Sequence, residues 1–181
     1  IWIATLLPTV IGKVPLADIF ASLRMHTREV EEAREIGGLF LLPELRHSGL
    51  GPLLSRSRYL FIARHRARFA QQVLTELRGF QEPDGVSPFW NALTRRFFDL
   101  EFHEADRFHS LNGNQFVADL MPKYPIYTIL LSQEAQDAIG KPHPAGVAAM
   151  KMLEAEGFRH DNYVDLFDAG PTLVADIDSL R

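Results

Sequence analysis

Residues 38–58 read GLFLLPELRHSGLGPLLSRSR, and the order of features in this stretch decides the predicted fold. The apolar run at 38–42 is typical of a short buried strand, and the pattern Arg46-x-x-Gly49-x-Gly51 follows it. Pro52 suits the first turn of a helix, which we expect to continue to about Phe69. The sequence therefore predicts a strand, a glycine loop and a helix in direct succession.

The glycine loop between that strand and that helix is suited to binding an anion. Free backbone N–H groups point outward at the start of a helix, where the helix dipole also favours negative charge. Glycines at positions 49 and 51 let a phosphate approach the main chain without meeting a Cβ atom. The pattern resembles the one with which GNAT-type acyltransferases hold the pyrophosphate of coenzyme A, and a plain turn is the alternative interpretation.

The predicted helix carries both apolar and basic residues. The apolar ones recur about every seven positions and predict one buried face: Leu53, Leu54, Leu60, Phe61 and Phe69. The basic ones are Arg56, Arg58, Arg64, Arg66 and Arg68. They form either a solvated face or, for one or two of them, a contact with the 3′-phosphate of coenzyme A or with an acyl carboxylate.

Composition bounds the class of protein. The chain has 181 residues, a net charge of −4 and no cysteine, which predicts one domain or one domain with an appendage. The absence of cysteine excludes disulfides, thiolate zinc sites and a cysteine nucleophile, and it fits the cytoplasmic location that we expect. The acidic balance does not suggest a general affinity for nucleic acid. No apolar run approaches the roughly 18 residues of a membrane-spanning helix.

Outside the opening stretch, the sequence predicts a mixed α/β chain. Helices are expected at 18–35, 88–98, 116–120, 132–139 and 144–156, and strands at 72–80, 124–131 and 163–167. Residues 99–115 are expected to be polar and irregular.

His143 lies between two prolines in Lys141-Pro-His-Pro144, at the predicted start of a helix. An imidazole there is a candidate acid–base group, and a capping or surface role is the alternative. The segment His103-Glu-Ala-Asp106 matches no zinc motif, and we predict no metal site. No Ser-His-Asp arrangement is recognisable, which is compatible with direct attack of an amine on a thioester, because that reaction needs no enzyme nucleophile.

Several segments, all in one order, resemble the arginine N-succinyltransferase family. The first is 38–58, which is similar to the coenzyme-binding stretch of that family. The others are Glu76-Leu-Arg-Gly79, Ser87-Pro-Phe-Trp90, Arg96-Phe-Phe98, Ala118–Tyr127, Ile139-Gly140, His143-Pro144, Met152–Arg159 and Tyr163–Leu173. The resemblance covers 36–181 and implies an α/β (α+β) fold of the GNAT type, with a twisted mixed sheet flanked by helices and incomplete at both ends. Residues 1–35 are interpreted as a divergent N-terminal segment before this catalytic region.

The resemblance also implies an activity and its partners. The family transfers a succinyl group from succinyl-CoA to the α-amino group of L-arginine, in the catabolism of arginine, and some members accept L-ornithine. Succinyl-CoA would be a cosubstrate, and no permanently bound cofactor is expected. Like or related subunits are expected to form an oligomer, without nucleic acid or membrane as a partner.

Two functional positions carry over from the family. Leu39 matches a succinyl-CoA-binding position, and His143 matches the proton donor to the departing thiolate. The glycine loop is expected to line the pyrophosphate with Arg46, His47, Ser48, Gly49, Leu50 and Gly51. Because a helix N-terminus disfavours imidazolium, we hypothesise that His143 starts neutral, takes a proton from the amine and passes it to sulfur.

Other interpretations stay open at this point. One is an acetyl-CoA-dependent N-acetyltransferase of the same fold, a second is binding of nucleic acid by the arginine-rich helix, and a third is a non-catalytic fragment or subunit. The resemblance does not map the arginine pocket. Its candidate carboxylates are Glu101, Glu104, Asp106, Asp165 and Asp168, most of which are expected to be solvated or structural.

Overall fold

The computed structural model describes residues 3–8, 10–11, 14–15, 21–26, 34–46, 48–112, 120–121 and 126–180. Its strands are β1 (Ile3–Pro8), β2 (Val10–Ile11), β3 (Val14–Pro15), β4 (Ala21–His26), β5 (Arg34–Glu35), β6 (Gln72–Glu76), β7 (Ile126–Tyr127), β8 (Arg159–Asp165) and β9 (Pro171–Asp176). Seven of them form one sheet in the order β5-β6-β9-β8-β1-β4-β7, and β2 pairs with β3. All neighbours in the large sheet are antiparallel except β5 and β6, which run parallel. The mixed α/β architecture expected from the sequence is confirmed.

Helices flank this sheet. They are α1 (Leu50–Arg64), α2 (Arg95–Phe98), α3 (Phe102–Asn112), α4 (Gln133–Ala138) and α5 (Val147–Ala155). A π-helical segment, Trp90–Thr94, leads into α2. Short 3-10 turns lie at Pro43–Leu45, Arg66–Arg68, Thr128–Leu130, Pro144–Gly146 and Ile177–Ser179. None of the helices described is long and apolar enough to span a membrane.

An apolar cluster holds α1 and α5 against the sheet beside its parallel strand pair. Its buried members are Tyr59, Ile62, Val73, Leu153, Phe158, Leu173, Ala175 and Ile177. Burial of a large apolar side chain contributes about 1.5–3 kcal/mol, so this cluster fixes both helices relative to β6 and β9.

A buried carboxylate adds a polar link between the same two helices. Glu156, which is 1% exposed, directly follows α5. Its Oε2 accepts hydrogen bonds from the hydroxyls of Ser55 at 2.9 Å and Tyr59 at 2.6 Å, both on α1. Burial, together with the hydrogen bond to Glu156, raises the pKa of Tyr59 to about 12. Because buried polar groups are costly unless paired, these bonds favour one orientation of α1 against α5.

Aromatic stacking holds the other helices to the end of β8. The Trp90 ring stacks between Phe98 and Phe167, with centroid distances of 5.9 and 5.5 Å, and meets the edge of Phe102 at 5.7 Å. Trp90 is fully buried. The stack therefore joins the 90–98 helical segment, α3 and the turn after β8 into one wall.

The predicted helix at 18–35 is wrong over 21–26. Those residues form β4, which pairs with β1 along its whole length and with β7 at Ser22 and Leu23. Long-range pairing of backbone groups outweighs local helical periodicity here. The predicted irregular segment at 99–115 is wrong for Phe102–Asn112, which is α3. The fully buried Ala105 and the Trp90–Phe102 contact anchor this helix, and neither is visible in local sequence.

The buried strand predicted at 38–42 is not formed. The strand β5 lies earlier, at Arg34–Glu35, and Phe40 is 67% exposed. The helix that follows is confirmed as α1, but its predicted buried face is wrong, since Leu53 and Leu60 are 65% and 73% exposed. The buried stripe of α1 is instead Ser55, Tyr59 and Ile62, because contacts with β6 and α5 select it.

Several other predictions from the sequence are confirmed. The helical segment 88–98 begins after Ser87, whose hydroxyl accepts a hydrogen bond from the Trp90 N–H at 3.2 Å. Ser132 likewise caps α4, and the predicted strands at 72–80 and 163–167 correspond to β6 and β8. Among the described residues of the predicted strand at 124–131, Ile126–Tyr127 form β7 at the sheet edge and Thr128–Leu130 form a 3-10 turn. Residues 116–119 of the predicted helix at 116–120 lie outside the described part of the chain.

Candidate functional site

The parallel strands β5 and β6 separate shortly after they meet. They pair at Arg34–Val73 and Glu35–Leu74, and the Ile36 N–H still donates to the Leu74 carbonyl at 2.8 Å. Beyond Ile36 the two chains diverge and border a groove of about 210 Å³. Its walls are Gly37, Gly38, Leu39, Arg58, Thr75, Glu76, Leu77, Ala149, Met152 and Leu153. Leu39, predicted to contact the coenzyme from a strand, lines this groove from an irregular segment and is 37% exposed.

The glycine loop lies at the start of α1, as the sequence predicted. Gly49 precedes the first residue of α1 with φ of 82°, a left-handed conformation that favours glycine. Among the described residues, no side chain accepts a capping hydrogen bond from the N–H groups in the first turn of α1. These N–H groups and the helix dipole form a site suited to a phosphate.

Two side chains of the loop stabilise its own backbone. The Arg46 Nε donates to the Leu41 carbonyl at 3.3 Å, and the Ser48 hydroxyl donates to the Leu45 carbonyl. Leu50 is exposed and Gly51 is half-buried, and both lie in the first turn of α1. His47, also predicted here, lies outside the described residues.

The structure distinguishes among the five arginines that the sequence left equivalent. Arg58 lines the groove, and its Nη2 donates to the Ser55 hydroxyl at 3.1 Å. Arg56 pairs with Glu156 at 3.5 Å, and Arg66 pairs with Asp178 at 3.1 Å, so each of these two already has a carboxylate partner. Arg58 is therefore the arginine of α1 that is suited to meet an anionic group in the groove.

His143 lies next to the end of β6 and before α5. Its backbone N–H donates to the Arg78 carbonyl at 2.8 Å, beside the Gly79–Pro142 bridge. Its Nδ1 accepts a hydrogen bond from the Ala145 N–H at 3.2 Å and so caps the following turn. An Nδ1 that accepts this bond carries no proton, which leaves Nε2 as the N–H donor of the neutral ring. The capping and acid–base interpretations are thus compatible.

A second cavity, of about 440 Å³, adjoins the groove and is acidic. Its lining residues are Glu76, Leu77, Arg78, Gln81, Phe102, His103, Asp165, Phe167 and Asp168. Glu76 and Leu77 line both this cavity and the groove. We call the 440 Å³ space the acidic cavity. No group of three or more His, Asp or Glu in the described ranges could hold a metal ion.

Burial raises the pKa of all three carboxyls of the acidic cavity, and neighbouring negative charge adds to the shift at Glu76 and Asp165. Burial, with the neighbouring charge of Glu35, raises the pKa of Glu76 to about 7. Burial, with the charges of Asp168 and Glu76, raises the pKa of Asp165 well above its usual range. The pKa of Asp168 is raised by burial although hydrogen bonds from the Gly79 and Gly170 N–H groups oppose that shift. The carboxyls of this cavity therefore keep their protons to higher pH than exposed carboxyls do.

A turn held by close main-chain contacts shapes the acidic cavity. The Asp168 carboxylate accepts from the Gly79 N–H at 2.8 Å and from the Gly170 N–H at 2.9 Å. Asp165 accepts from the Phe167 and Asp168 N–H groups at 2.7 and 3.1 Å. A Cβ atom at Gly79 would lie 2.2 Å from the Asp168 carbonyl oxygen, so no larger residue fits there. Asp165 and Asp168 thus have structural roles in addition to their charge.

The other candidate carboxylates lie elsewhere. Glu101 pairs with Arg95 and is 59% exposed, and Glu104 is exposed and hydrogen bonds with the Glu101 N–H. The side chain of Asp106 is outside the described set. A larger cavity of about 670 Å³, lined by residues between Glu82 and Ser132, shares no lining residue with the groove or the acidic cavity.

Residues 17–181 match the family model described as arginine N-succinyltransferase beta subunit. The chain belongs to this family. Its mixed fold, with a parallel strand pair and a glycine loop at the start of α1, is consistent with a GNAT-like acyltransferase fold.

Curated relatives agree with this assignment. The chain is 51% identical over 147 residues to the arginine N-succinyltransferase of Escherichia coli O17:K52:H18 (strain UMN026 / ExPEC), covering 81% of this chain and 43% of that protein. It is 50% identical over 147 residues, with the same coverage, to the arginine N-succinyltransferase of Escherichia coli O1:K1 / APEC. The chain thus spans less than half the length of these relatives.

A solved structure is similar over the whole chain. The arginine/ornithine succinyltransferase subunit AI from Pseudomonas aeruginosa matches with a TM-score of 0.81 and 34% identity, covering 100% of this chain and 52% of that one. This family membership confirms the resemblance found in the sequence.

Sequence reasoning missed Glu76 and Gln81 as candidate functional residues. Glu76 lies within one of the segments that resemble the family, Glu76-Leu-Arg-Gly79, but its neighbours in sequence give no sign of its role. Only the fold brings it next to Asp165 and Asp168, which are remote in the chain. The predicted strand at 72–80 placed Glu76 in its interior, whereas β6 ends at Glu76.

Proposed function

We propose that this chain carries the donor site of an arginine N-succinyltransferase and takes part in transfer of a succinyl group from succinyl-CoA to the α-amino group of L-arginine. The single observation that carries this proposal is the groove bordered by Leu39 and Arg58 where β5 and β6 stop pairing, in a chain of this family. The groove offers space for an extended pantetheine, and the uncapped first turn of α1 offers an anion site for the pyrophosphate.

The groove residues suggest how succinyl-CoA would bind. Leu39 would flank the pantetheine arm, whose amide groups could pair with main-chain groups that β5 no longer pairs beyond Ile36. The N–H groups after Gly49 would hold the pyrophosphate, with Arg46, His47, Ser48, Leu50 and Gly51 around it. Arg58 would meet a phosphate or the free carboxylate of the succinyl group. The last contact would favour succinyl over acetyl, because acetyl carries no carboxylate.

His143 would serve the departing sulfur. The lone pair of the neutral α-amine attacks the thioester carbonyl, a C–N bond forms, and the C–S bond breaks with its electron pair on sulfur. The neutral ring of His143 would take up the excess proton of the amine nitrogen and, as an imidazolium, would then give a proton to the thiolate. The ring thus ends in the neutral form in which it began, which is the form favoured by its Nδ1 contact with Ala145.

The wider setting of this reaction is also part of the proposal. The similar proteins are arginine N-succinyltransferases and an arginine/ornithine succinyltransferase subunit, which supports L-arginine or L-ornithine as acceptor and arginine catabolism as the pathway. We propose assembly with like or related subunits, since Phe40, Leu53 and Leu60 are 67%, 65% and 73% exposed on one loop–helix segment. Residues 36–181 would form the catalytic region, and a cytoplasmic location stays a prediction.

The test is release of thiol from succinyl-CoA, followed with DTNB, with and without L-arginine. We expect release that depends on L-arginine, is weaker with acetyl-CoA, and falls about 100-fold or more in His143→Ala. His65→Ala is the matched control, because His65 follows α1 away from the groove, and it should retain the activity.

Binding of succinyl-CoA, read as a rise in melting temperature, separates the alternatives. No thiol release together with a rise would mean a donor-binding chain that needs further segments for turnover. Equal rates with acetyl-CoA and succinyl-CoA would favour the N-acetyltransferase alternative. Absence of both release and stabilisation would contradict the proposal.

A further inference from the structure

The acidic cavity contains two polar atoms that have no partner in the described part of the chain. Oε1 of Glu76 and Nε2 of Gln81 are both buried and form no hydrogen bond there. Gln81 is only 4% exposed. Since unpaired buried polar atoms are costly in a folded protein, these two atoms indicate a place where a ligand with a donor and an acceptor would bind.

Glu76 is the carboxylate of this cavity that is free to bind a ligand. Asp165 and Asp168 each already accept hydrogen bonds from two main-chain N–H groups, and one of the donors to Asp168 is Gly79 after β6. Glu76 forms no ion pair within the described ranges, and Glu35 and Asp168 add negative charge beside it. A cationic ligand would relieve this repulsion and satisfy Oε1 in one contact.

The position of Glu76 relates the cavity to the thioester. Glu76 lines both the acidic cavity and the groove. His143 is not among the lining residues of either space, but its backbone N–H donates to the carbonyl of Arg78, which lines the acidic cavity two residues after Glu76. A group bound at Glu76 would therefore lie where the acidic cavity and the groove meet.

We propose that the acidic cavity binds the amino-acid acceptor, with Glu76 contacting its α-ammonium group and accepting the proton that must leave before attack. Gln81 Nε2 would bind the α-carboxylate. This inference rests on the proposed function, because it assigns the acceptor of that same reaction.

The orientation of Gln81 supports the carboxylate contact. Its Oε1 accepts a hydrogen bond from the Arg78 guanidinium, which fixes the amide so that Nε2 remains as the free donor. A donor at Nε2 matches a carboxylate oxygen and not an ammonium group. Arg78 also lines the cavity and would add positive charge at the same end.

The proton step at Glu76 is balanced. The ammonium group gives one proton to the Glu76 carboxylate, the nitrogen keeps its lone pair, and the products are a neutral amine and a carboxylic acid. Burial and the charge of Glu35 hold the pKa of Glu76 at about 7, in the range that suits a general base. The charged or titratable groups that face it are Glu35, Arg58, Arg78, His103, Asp165 and Asp168.

Calorimetric titration of the 181-residue chain with two pairs of ligands tests the assignment without turnover. L-Arginine is compared with 5-guanidinovalerate, which lacks the α-amine, and with agmatine, which lacks the carboxylate. We expect the wild type to prefer L-arginine to each analogue by about tenfold or more. Glu76→Gln should lose the preference for L-arginine over 5-guanidinovalerate and keep the preference over agmatine. Gln81→Met should lose the preference over agmatine and keep the preference over 5-guanidinovalerate. Glu134→Gln, on the exposed side of α4, is the matched control and should change neither ratio.

The pH profile gives a second readout. With succinyl-CoA saturating, kcat/KM for L-arginine should fall about tenfold per pH unit below pH 7 in the wild type, because protonated Glu76 cannot accept a proton. Glu76→Gln should lose this limb while succinyl-CoA still raises its melting temperature.

The two hypotheses can fail separately. If the wild type releases thiol with L-arginine, but Glu76→Gln keeps both the acid limb and the ligand preference, the cavity assignment is wrong and the proposed function stands. If the wild type releases no thiol, the calorimetric ratios still decide the cavity. Wild type that binds L-arginine and 5-guanidinovalerate equally would overturn the assignment.

Discussion

The loop-and-helix side of the groove and the acidic cavity are opposite in exposure and in charge. The start of α1 presents uncapped N–H groups, with Arg58 lining the groove behind them, in a segment where Leu39, Phe40 and Leu50 are all exposed. The acidic cavity presents carboxyls whose pKa values are raised by burial. Ligand binding at an anion site near water should depend chiefly on salt concentration, and the behaviour of a buried carboxylate site should depend chiefly on pH.

The largest expected effect is a difference in stability between a substitution beside the acidic cavity and one in the glycine loop. Gly79→Ala should lower the free energy of unfolding by about 3 kcal/mol or more, because the new Cβ atom would lie 2.2 Å from the main-chain oxygen of Asp168. Urea unfolding measures this effect. Gly51→Ala is the control: a Cβ atom there meets nothing within 4 Å, so stability should stay within about 0.5 kcal/mol. Equal losses in the two variants would contradict the contrast between a tightly packed turn and an open loop.

The next effect concerns pH. Burial raises the pKa of Glu76 from its ordinary value of 4.5 to about 7 in the folded chain, so folding takes up a proton at Glu76 between these pH values. The contribution of Glu76 to stability is therefore greatest below about pH 4.5 and is lost as the pH rises through 7, and Asp165 acts in the same direction. Glu76→Gln should be more stable than wild type at pH 8 by up to about 3 kcal/mol and similar at pH 4.5.

Urea unfolding of both proteins at pH 4.5 and pH 8 tests this prediction. Glu134→Gln replaces an exposed glutamate and is the control; its free energy of unfolding should equal that of the wild type at both pH values. A stability difference for Glu76→Gln that is the same at both pH values would show that Glu76 does not carry the titration. Addition of L-arginine at pH 8 should stabilise the wild type more than Glu76→Gln.

The smallest effect concerns salt at the donor side. Arg58→Ala should weaken succinyl-CoA binding about tenfold at low ionic strength, because Arg58 lines the groove. The deficit should shrink as salt rises, since screening already weakens the wild-type contact. Calorimetry at two salt concentrations measures it, and Arg64→Ala, on the same helix but lining neither the groove nor the acidic cavity, should bind like the wild type. A salt-independent deficit would point to lost packing instead.

Turn and capping preferences correctly predicted the features that depend on residues close together in the sequence. Gly49 before α1, the Ser87 cap at Trp90 and the Ser132 cap of α4 follow from turn and capping chemistry within a few residues. The same rules failed where pairing partners are remote. The 21–26 segment became β4 through contacts with β1 and β7, and 38–42 left the sheet because β5 and β6 separate.

The sequence by itself determined the family, the glycine loop and the place of His143 before a helix, because each is encoded by residues adjacent in the chain. The tertiary structure alone decided which arginine of α1 lines the groove, and that Glu76 meets Asp165 and Asp168. These features depend on burial and on distances between segments about 90 residues apart, and backbone periodicity carries no information about either.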